Sequence, residues 1–264
     1  MRLTANTSSA ARREPPRASR LEIATYNVLF KTSDAQTKED LSRLMRRNGV
    51  INLQEFNAGH RDLFTWIGNQ GWGHVSAKGW AEEPIIWDRR KYQKVDSGQH
   101  RINDAVDGIA GRKTYPAHNA TWVRLKDRKT GKVFTTVSVH TIAHNRGPKL
   151  TPLVDRVSKH QFSELAKLTE RLSKHGPVII GGDLNTSPSR GTWPRKILEA
   201  AHLRSNWQQL GRKGLGPGGT HGPSFIDHFL TQTTMKDKLK LLSHDIVRGG
   251  HSDHNAVEAD YRLK

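Results

Sequence analysis

Residues 177–188 read PVIIGGDLNTSP. The β-branched run Val178-Ile179-Ile180 predicts a short buried strand, and Gly181-Gly182 is expected to break it. Asp183 and Asn185 follow at once, and Pro188 opens a new turn. A carboxylate and a carboxamide delivered at the end of a buried strand are how a sheet presents chemistry to a cleft. Asp183 can ligate a hard cation or take a proton, and Asn185 can donate to an anionic oxygen without adding charge. Taken alone, these residues also fit a plain Asx-rich turn, so the rest of the chain decides.

Taken in order, residues 1–20 are rich in Arg, Ser, Ala and Pro and predict a disordered basic arm. Residues 21–29 alternate apolar and polar and predict a strand with Asn27 near its end. Thr37 and Asp40 mark a helix start, with Leu41, Leu44 and Met45 on one face and Asn48-Gly49 as the stop. Residues 50–53 predict a second strand, with Glu55 just past it. Residues 60–69 predict a short helix, and 84–87 a strand preceded by Glu82-Glu83. Residues 97–119 carry glycines and charges with little periodicity and are expected to form a long loop. Arg101, Arg112 and Lys113 there are surface charges able to meet phosphate. Residues 120–125 and 133–139 predict a hairpin, with His140 directly after its second strand. Residues 155–175 predict a long amphipathic helix stopped by Gly176-Pro177, and 192–201 a further helix. The glycine-rich stretch 211–219 lacks a following Gly-Lys-Ser/Thr, which excludes a nucleotide P-loop. Residues 225–230, FIDHFL, predict a strand bearing Asp227. In 249–257, GGHSDHNAV, Asp253 and His254 stand at the mouth of the last strand. With no internal repeat and no linker after Arg20, residues 21–264 read as one domain.

Composition narrows the chemistry. The chain has no cysteine, which excludes disulfides, thiolate metal sites and cysteine nucleophiles. Its 43 Lys+Arg against 25 Asp+Glu give a formal charge of +18. The arm holds five arginines and one glutamate, so most of the excess lies outside it. A field of that sign concentrates polyanions, nucleic acid above all, with anionic membrane surfaces and phosphorylated metabolites as alternatives. No apolar run is long enough to span a bilayer, which predicts no stable membrane insertion.

Six predicted strand ends thus carry polar groups: Asn27, Glu55, His140, Asp183 with Asn185, Asp227, and Asp253 with His254. Each alone has an ordinary structural explanation, but six in one chain, each abutting a short apolar strand, are hard to explain as accidents. The set is rich in oxygen ligands and lacks sulfur, which suits Mg²⁺, with Mn²⁺ or Ca²⁺ as alternatives. The spacing His251-x-Asp253-His254, with His140 and His144, is the weaker case for zinc.

TYNVL, LQE, the VSVHT strand end, GGDLNTSP, FIDHFL and SDHNAV, in that order, resemble the endonuclease/exonuclease/phosphatase superfamily, whose members include deoxyribonuclease I. The resemblance implies a four-layer α/β sandwich, two mixed sheets packed face to face and flanked by helices, with the site at one edge. It implies that Glu55 is the principal metal-binding glutamate and that Asn27 supports metal and phosphate. Asp183 and Asn185 match the pair that positions the attacking water and holds a phosphate oxygen. Asp253 matches the acid near the metal, His254 the catalytic histidine, and Asp227 the carboxylate that orients it. His140 matches a second histidine that contacts phosphate and protonates the leaving group, and is expected to pair with Glu82 or Glu83.

Two departures matter. Leu29 stands where abasic endonucleases carry an acid, and His140-Thr141 stands where they carry a tyrosine motif. Both point away from abasic-site repair and toward the deoxyribonuclease or phosphatase branches. The resulting expectation is a Mg²⁺-dependent, monomeric phosphodiesterase cutting nucleic acid, DNA before RNA. A phosphatase or phosphodiesterase acting on an inositol phosphate or phospholipid headgroup is the alternative, and a non-catalytic nucleic-acid-binding module a third. The 1–20 arm has no apolar core segment, so a secretory signal is not expected. A cytoplasmic enzyme of bacterial or phage origin is.

Overall fold

The computed structural model describes residues 19–264 except 57, 77–81, 109–113 and 145–150. Two parallel strand pairs set the architecture. Strand β1 (Ser19–Asn27) runs parallel to β2 (Val50–Gln54), and helix α1 (Asp34–Met45) makes the crossover. Parallel neighbours need such a crossover. Strands β3 (Trp72–Val75) and β4 (Ile85–Asp88) extend this sheet beyond β2, and β13 (Leu239–Val247) and β14 (Ala256–Leu263) extend it beyond β1, all antiparallel. The second sheet repeats the plan. Strands β9 (Val133–His140) and β10 (Val178–Asp183) run parallel around helix α3 (Thr151–Ser173). Strand β8 (His118–Asp127) and then β5 (Tyr92–Asn103) extend the sheet beyond β9, and β12 (Asp227–Gln232) and then β11 (Leu203–Ser205) extend it beyond β10. A two-stranded ribbon of β6 (Val106–Asp107) and β7 (Thr114–Tyr115), with helices α2 (Leu63–Asn69), α4 (Arg195–Ala200) and α5 (Asn206–Leu210), completes the described elements.

Strand alternation divides the apolar residues among three cores. Leu21 and Ile23 of β1 and Ile179 of β10 point into the space between the sheets, with Phe134, Phe229 and Tyr261. Ala24 and Tyr26 point the other way, onto α1 and α2 with Leu41, Leu44, Leu63 and Ile67. Val178 and Ile180 face α3 and α4 with Phe162, Leu165, Leu168 and Leu198. Both sheets are therefore covered on both faces, which is why β1, β2 and β10 read as near-continuous apolar runs. Full burial of a side chain such as Phe134 or Phe229 is worth about 1.5–3 kcal/mol each. The four-layer sandwich expected from the sequence is the observed fold.

A polar seam crosses between the sheets beneath the strand ends. Asn52 donates from Nδ2 to the Val137 carbonyl (3.0 Å) and accepts from Thr136 Oγ1 (3.0 Å). Gln54 Nε2 donates to Ser138 Oγ (3.1 Å), which donates to the Leu53 carbonyl (2.8 Å). All four side chains are fully buried. A partner missing there would cost about 1–3 kcal/mol, so the seam fixes the relative register of the two sheets.

Several sequence expectations change. Gly181 and Gly182 do not break the strand but lie within β10. A Cβ on Gly182 would stand 1.9 Å from the Val139 carbonyl oxygen, and one on Gly181 would meet Asn52 Nδ2 at 2.6 Å, so both glycines permit close packing. Helix α1 begins earlier than Thr37, at a Ser33/Gln36 capping box. Ser19 and Arg20 belong to β1 rather than to the arm; the rest of that arm, 1–18, lies outside the described residues, as do Arg112 and Lys113. The expected loop 97–119 contains the end of β5, the small ribbon and the start of β8. Strand β5 is a half-exposed edge strand with register shifts at Lys94/Asp96 and Arg101/Asn103, and each shift interrupts the period-two signal. Arg101 on it pairs with Asp104 at the surface. The polar or short strands β3, β11 and β13 carry no apolar run and were not expected.

Candidate active site

The carboxyl ends of both parallel pairs lie at the same edge of the sandwich, the position where α/β sheets place ligands. Asn27 ends β1 opposite Gln54 of β2, and Asp183 ends β10 opposite both His140 of β9 and Asp227 of β12. The sheet-to-sheet link is direct. Asn27 Nδ2 donates to Glu55 Oε1 (3.1 Å) from its own sheet and to Asp183 Oδ2 (3.2 Å) from the other. Its Oδ1 accepts from the Leu29 amide (3.1 Å), and Glu55 Oε2 accepts from the Phe30 amide (3.2 Å).

Three bulky residues in this turn set hold left-handed backbone: Leu29 at φ 58°, Glu55 at φ 55° and Asn185 at φ 50°. Such residues cost about 1–3 kcal/mol each and persist where surrounding structure over-determines them. Here they turn Glu55 and Asn185 away from their strands and into the cleft. Asn185 is further held by its amide to Asp183 Oδ1 (2.9 Å) and by Nδ2 donating to the Thr141 carbonyl (2.8 Å).

His254 and Asp227 form a buried pair, with Nδ1 3.0 Å and 3.2 Å from the two Asp227 oxygens. His254 Nε2 then stands 3.7 Å from Asp183 Oδ2, and His140 Nε2 stands 3.5 Å from that same oxygen. Burial disfavours charge on His254, but Asp227 and then Asp183 outweigh it and push the imidazole up to about 10. Burial pushes the Asp183 carboxyl up, and the nearby Asp227 charge adds to it. Burial opposes ionisation of Asp227 too, yet the His254 imidazolium holds that carboxyl below the usual range. Two neighbouring carboxylates with opposed shifts can take different roles, one an anchor for an imidazolium and one a proton acceptor.

The loop carrying His254 is braced from α1. Buried Asp40 accepts from Tyr26 OH (2.6 Å) and from the His251 amide (2.8 Å), and Ser252 Oγ donates to the Asn27 carbonyl (2.7 Å). Seven of the eight expected residues, Asn27, Glu55, His140, Asp183, Asn185, Asp227 and His254, are thereby joined in one network. Asp253 stands at its rim, exposed, with Oδ2 3.6 Å from His221 Nε2. One expectation fails, and the weaker zinc reading gains nothing. Glu83 faces His118 rather than His140, and among the described residues His140 forms its ion pair with Asp183 instead of Glu82 or Glu83. His251 and His144 turn to Asp40 and Asp155, so they do not converge with His254 as zinc ligands would. Sequence reading missed His221, whose ring lies 4.6 Å from that of His254. It sits in a glycine-rich turn with no apolar run to mark it, and only its bridge to His254 brings it in.

Glu55 and Asn27 offer only oxygen ligands, and among the described residues each Glu55 carboxylate oxygen and Asn27 Oδ1 accepts a single hydrogen bond, which leaves a lone pair on each; this set fits a hard divalent cation. Asp183, Asp227 and His254 also place donor atoms within 4.8 Å of one another, but there His254 is committed to Asp227.

The family model for the Endonuclease/Exonuclease/phosphatase family matches residues 24–254. The chain belongs to this family. Its members are phosphoric ester hydrolases that depend on a divalent metal, so the chain is a hydrolase of that family. Solved structures share the fold at low identity. The human Nocturnin catalytic domain with bound sulfate is 16% identical, with 95% of this chain and 100% of that one covered and a TM-score of 0.70. TDP2 of D. rerio complexed with a single-strand DNA product is 13% identical, with 92% and 99% covered and a TM-score of 0.64. A mannosyl-6-phosphatase of Bacteroides thetaiotaomicron is 15% identical, with 91% and 99% covered and a TM-score of 0.62. A search of curated protein sequences found no match. Among the described residues, no helix of this family member is long and apolar enough to cross a membrane.

Proposed function

We propose that this chain is a metal-dependent phosphodiesterase that cleaves nucleic acid, DNA ahead of RNA. Charge carries the reading: the chain has a formal charge of +18, while the buried groups of the site itself are acids and imidazoles. Arg190, Arg212 and Arg248 are exposed on segments that adjoin the His221 turn. Arg190 donates to Ser224 Oγ (2.6 Å), Arg212 lies 4.1 Å over the Phe225 ring, and Arg248 donates to the Pro217 carbonyl (3.0 Å). A rim of that sign concentrates a phosphate backbone and orients it over the acidic centre. The DNA product held by the TDP2 neighbour supports the same substrate class.

In this reading water attacks the phosphorus in line. Asp183, buried and with a raised pKa, takes the proton from that water. Asn185 donates its second amide hydrogen to a phosphoryl oxygen. His254, held at Nδ1 by Asp227, presents Nε2–H to the charge that grows on the phosphoryl group. His140 gives a proton to the leaving oxygen. Glu55 and Asn27, with Asp253 at the rim, would hold the cation, and their oxygen chemistry favours Mg²⁺ over Mn²⁺ or Ca²⁺. When bound, the cation neutralises charge developing on the substrate.

The test is nicking of supercoiled plasmid with Mg²⁺, with EDTA, and with Asp183→Ala and His254→Ala in parallel. Nicking that requires metal and disappears in both folded variants is expected. Folded wild type that leaves plasmid and RNA intact with Mg²⁺, Mn²⁺ and Ca²⁺, yet hydrolyses sugar or inositol phosphates, overturns the substrate class.

A further inference from the structure

A second group of titratable side chains lies beside His140, and the chemistry above does not use it. Glu82 and Glu83 precede β4, and His118 opens β8. One donor atom from each lies within 4.8 Å of the others. Glu83 is 3% exposed, and among the described residues its Oε1 is buried without a hydrogen-bond partner. The imidazole it faces is too far to serve as one, with His118 Nδ1 3.7 Å away and beyond hydrogen-bond reach. His118 exposes a tenth of its side chain and stacks on Tyr115, with centroids 4.8 Å apart and planes 12° apart, which holds the imidazole edge toward the glutamates. Among the described residues, no lysine or arginine forms an ion pair with either glutamate.

Burial pushes the Glu83 carboxyl up, and a cation between the two carboxylates would satisfy the orphaned oxygen and offset that burial. A 3.7 Å gap between Oε1 and Nδ1 is too long for a direct bond, but a metal ion spans it, since each ligand bond is about 2.0–2.2 Å long. From these contacts we infer that Glu82, Glu83 and His118 form a second divalent-cation site, separate from Glu55. Its two carboxylates and one imidazole take a transition ion of the Mn²⁺ and Zn²⁺ class. The imidazole selects such ions over Mg²⁺, and three protein ligands leave a position for water. The His118 ring lies 6.5 Å from the His140 ring at 90°, so this ion stands one imidazole away from the His140–Asp183 contact.

Mn²⁺ alone is the probe, with free ion counted by electron paramagnetic resonance on the full chain and thermal unfolding followed in parallel. Wild type is expected to bind two ions, and Glu55→Gln and Glu83→Gln one each. Glu55→Gln combined with Glu83→Gln is expected to lose at least a hundredfold in affinity for the remaining ion, and to lose the Mn²⁺-induced rise in melting temperature. His118→Gln in place of Glu83→Gln gives the same comparison should the buried glutamate variant not fold. One ion that survives Glu55→Gln but not Glu83→Gln supports this site while overturning the assignment of Glu55. Folded Glu55→Gln that binds no Mn²⁺, or keeps its ion through both Glu83→Gln and His118→Gln, overturns the site.

Discussion

Acidification from pH 7.5 to 4.5 is expected to remove about 2.5 kcal/mol of stability through His228 alone, by proton linkage. This histidine lies one residue past Asp227, buried beside the rings of Trp193 (5.2 Å) and Trp207 (6.2 Å). Its Nε2 donates to the Thr186 carbonyl (2.8 Å), and among the described residues Nδ1 is buried without a hydrogen-bond partner. Burial pushes the imidazole down to about 4, against help from the Thr186 carbonyl and the Asp227 charge. An unfolded histidine titrates near about 6.5. The unfolded chain therefore binds the extra proton between those two values. The contribution is complete above about pH 6.5 and is lost progressively as pH falls from there to the folded value of about 4, with a ceiling of roughly 3.4 kcal/mol for two and a half units. The assay is urea unfolding of wild type and His228→Gln, which keeps an N–H donor but does not titrate. The stability difference between them should shrink by about 2.5 kcal/mol across that range, whatever the variant costs at neutral pH. A difference constant to within about 0.5 kcal/mol, or a His228 resonance titrating near its ordinary value, refutes the argument.

Asp227→Asn removes the carboxylate that holds the His254 imidazolium. It should lower single-turnover cleavage by roughly 10²–10⁴-fold, and shift the His254 titration below about 10 while the circular dichroism spectrum stays native. Gly182→Ala drives a Cβ against the Val139 carbonyl; it should cost at least the ~1–3 kcal/mol of an overpacked core, read by urea denaturation. DNA binding should weaken with rising salt along a straight double-logarithmic line, and Arg190→Ala with Arg212→Ala should make that line shallower by about one for each phosphate the two arginines neutralise. An unchanged slope would place those arginines away from the substrate.

Much of the fold was legible because its central strands are buried on both faces. Val178-Ile179-Ile180 and 50–53 needed no context to read as strands, and the polar residue closing each one announced the site. Asp183 and Asn185 were visible for that reason, and Asp227 and His254 because they stand at the start of later apolar strands. The edge strands were not, because β5 is half exposed and bulged, so its sequence carries only charge and glycine where pairing to β8 does the work. Pairings were also beyond reach. Nothing in the spacing says that Glu83 faces His118 instead of His140, or that His221 comes within ring contact of His254.

The sequence by itself determined which chemistry the chain can hold: oxygen and imidazole ligands, no thiols, a basic exterior, and acids set at the ends of apolar runs. Only the tertiary structure decided which of these groups meet. Asn27 comes from one sheet and Asp183 from the other, 156 positions apart, and their contact depends on the polar seam that fixes how the two sheets stack. Local propensity is a property of neighbours along the chain. The protonation of His254 and the orphaned oxygen of Glu83 are properties of neighbours in space, set by burial and by opposing charge.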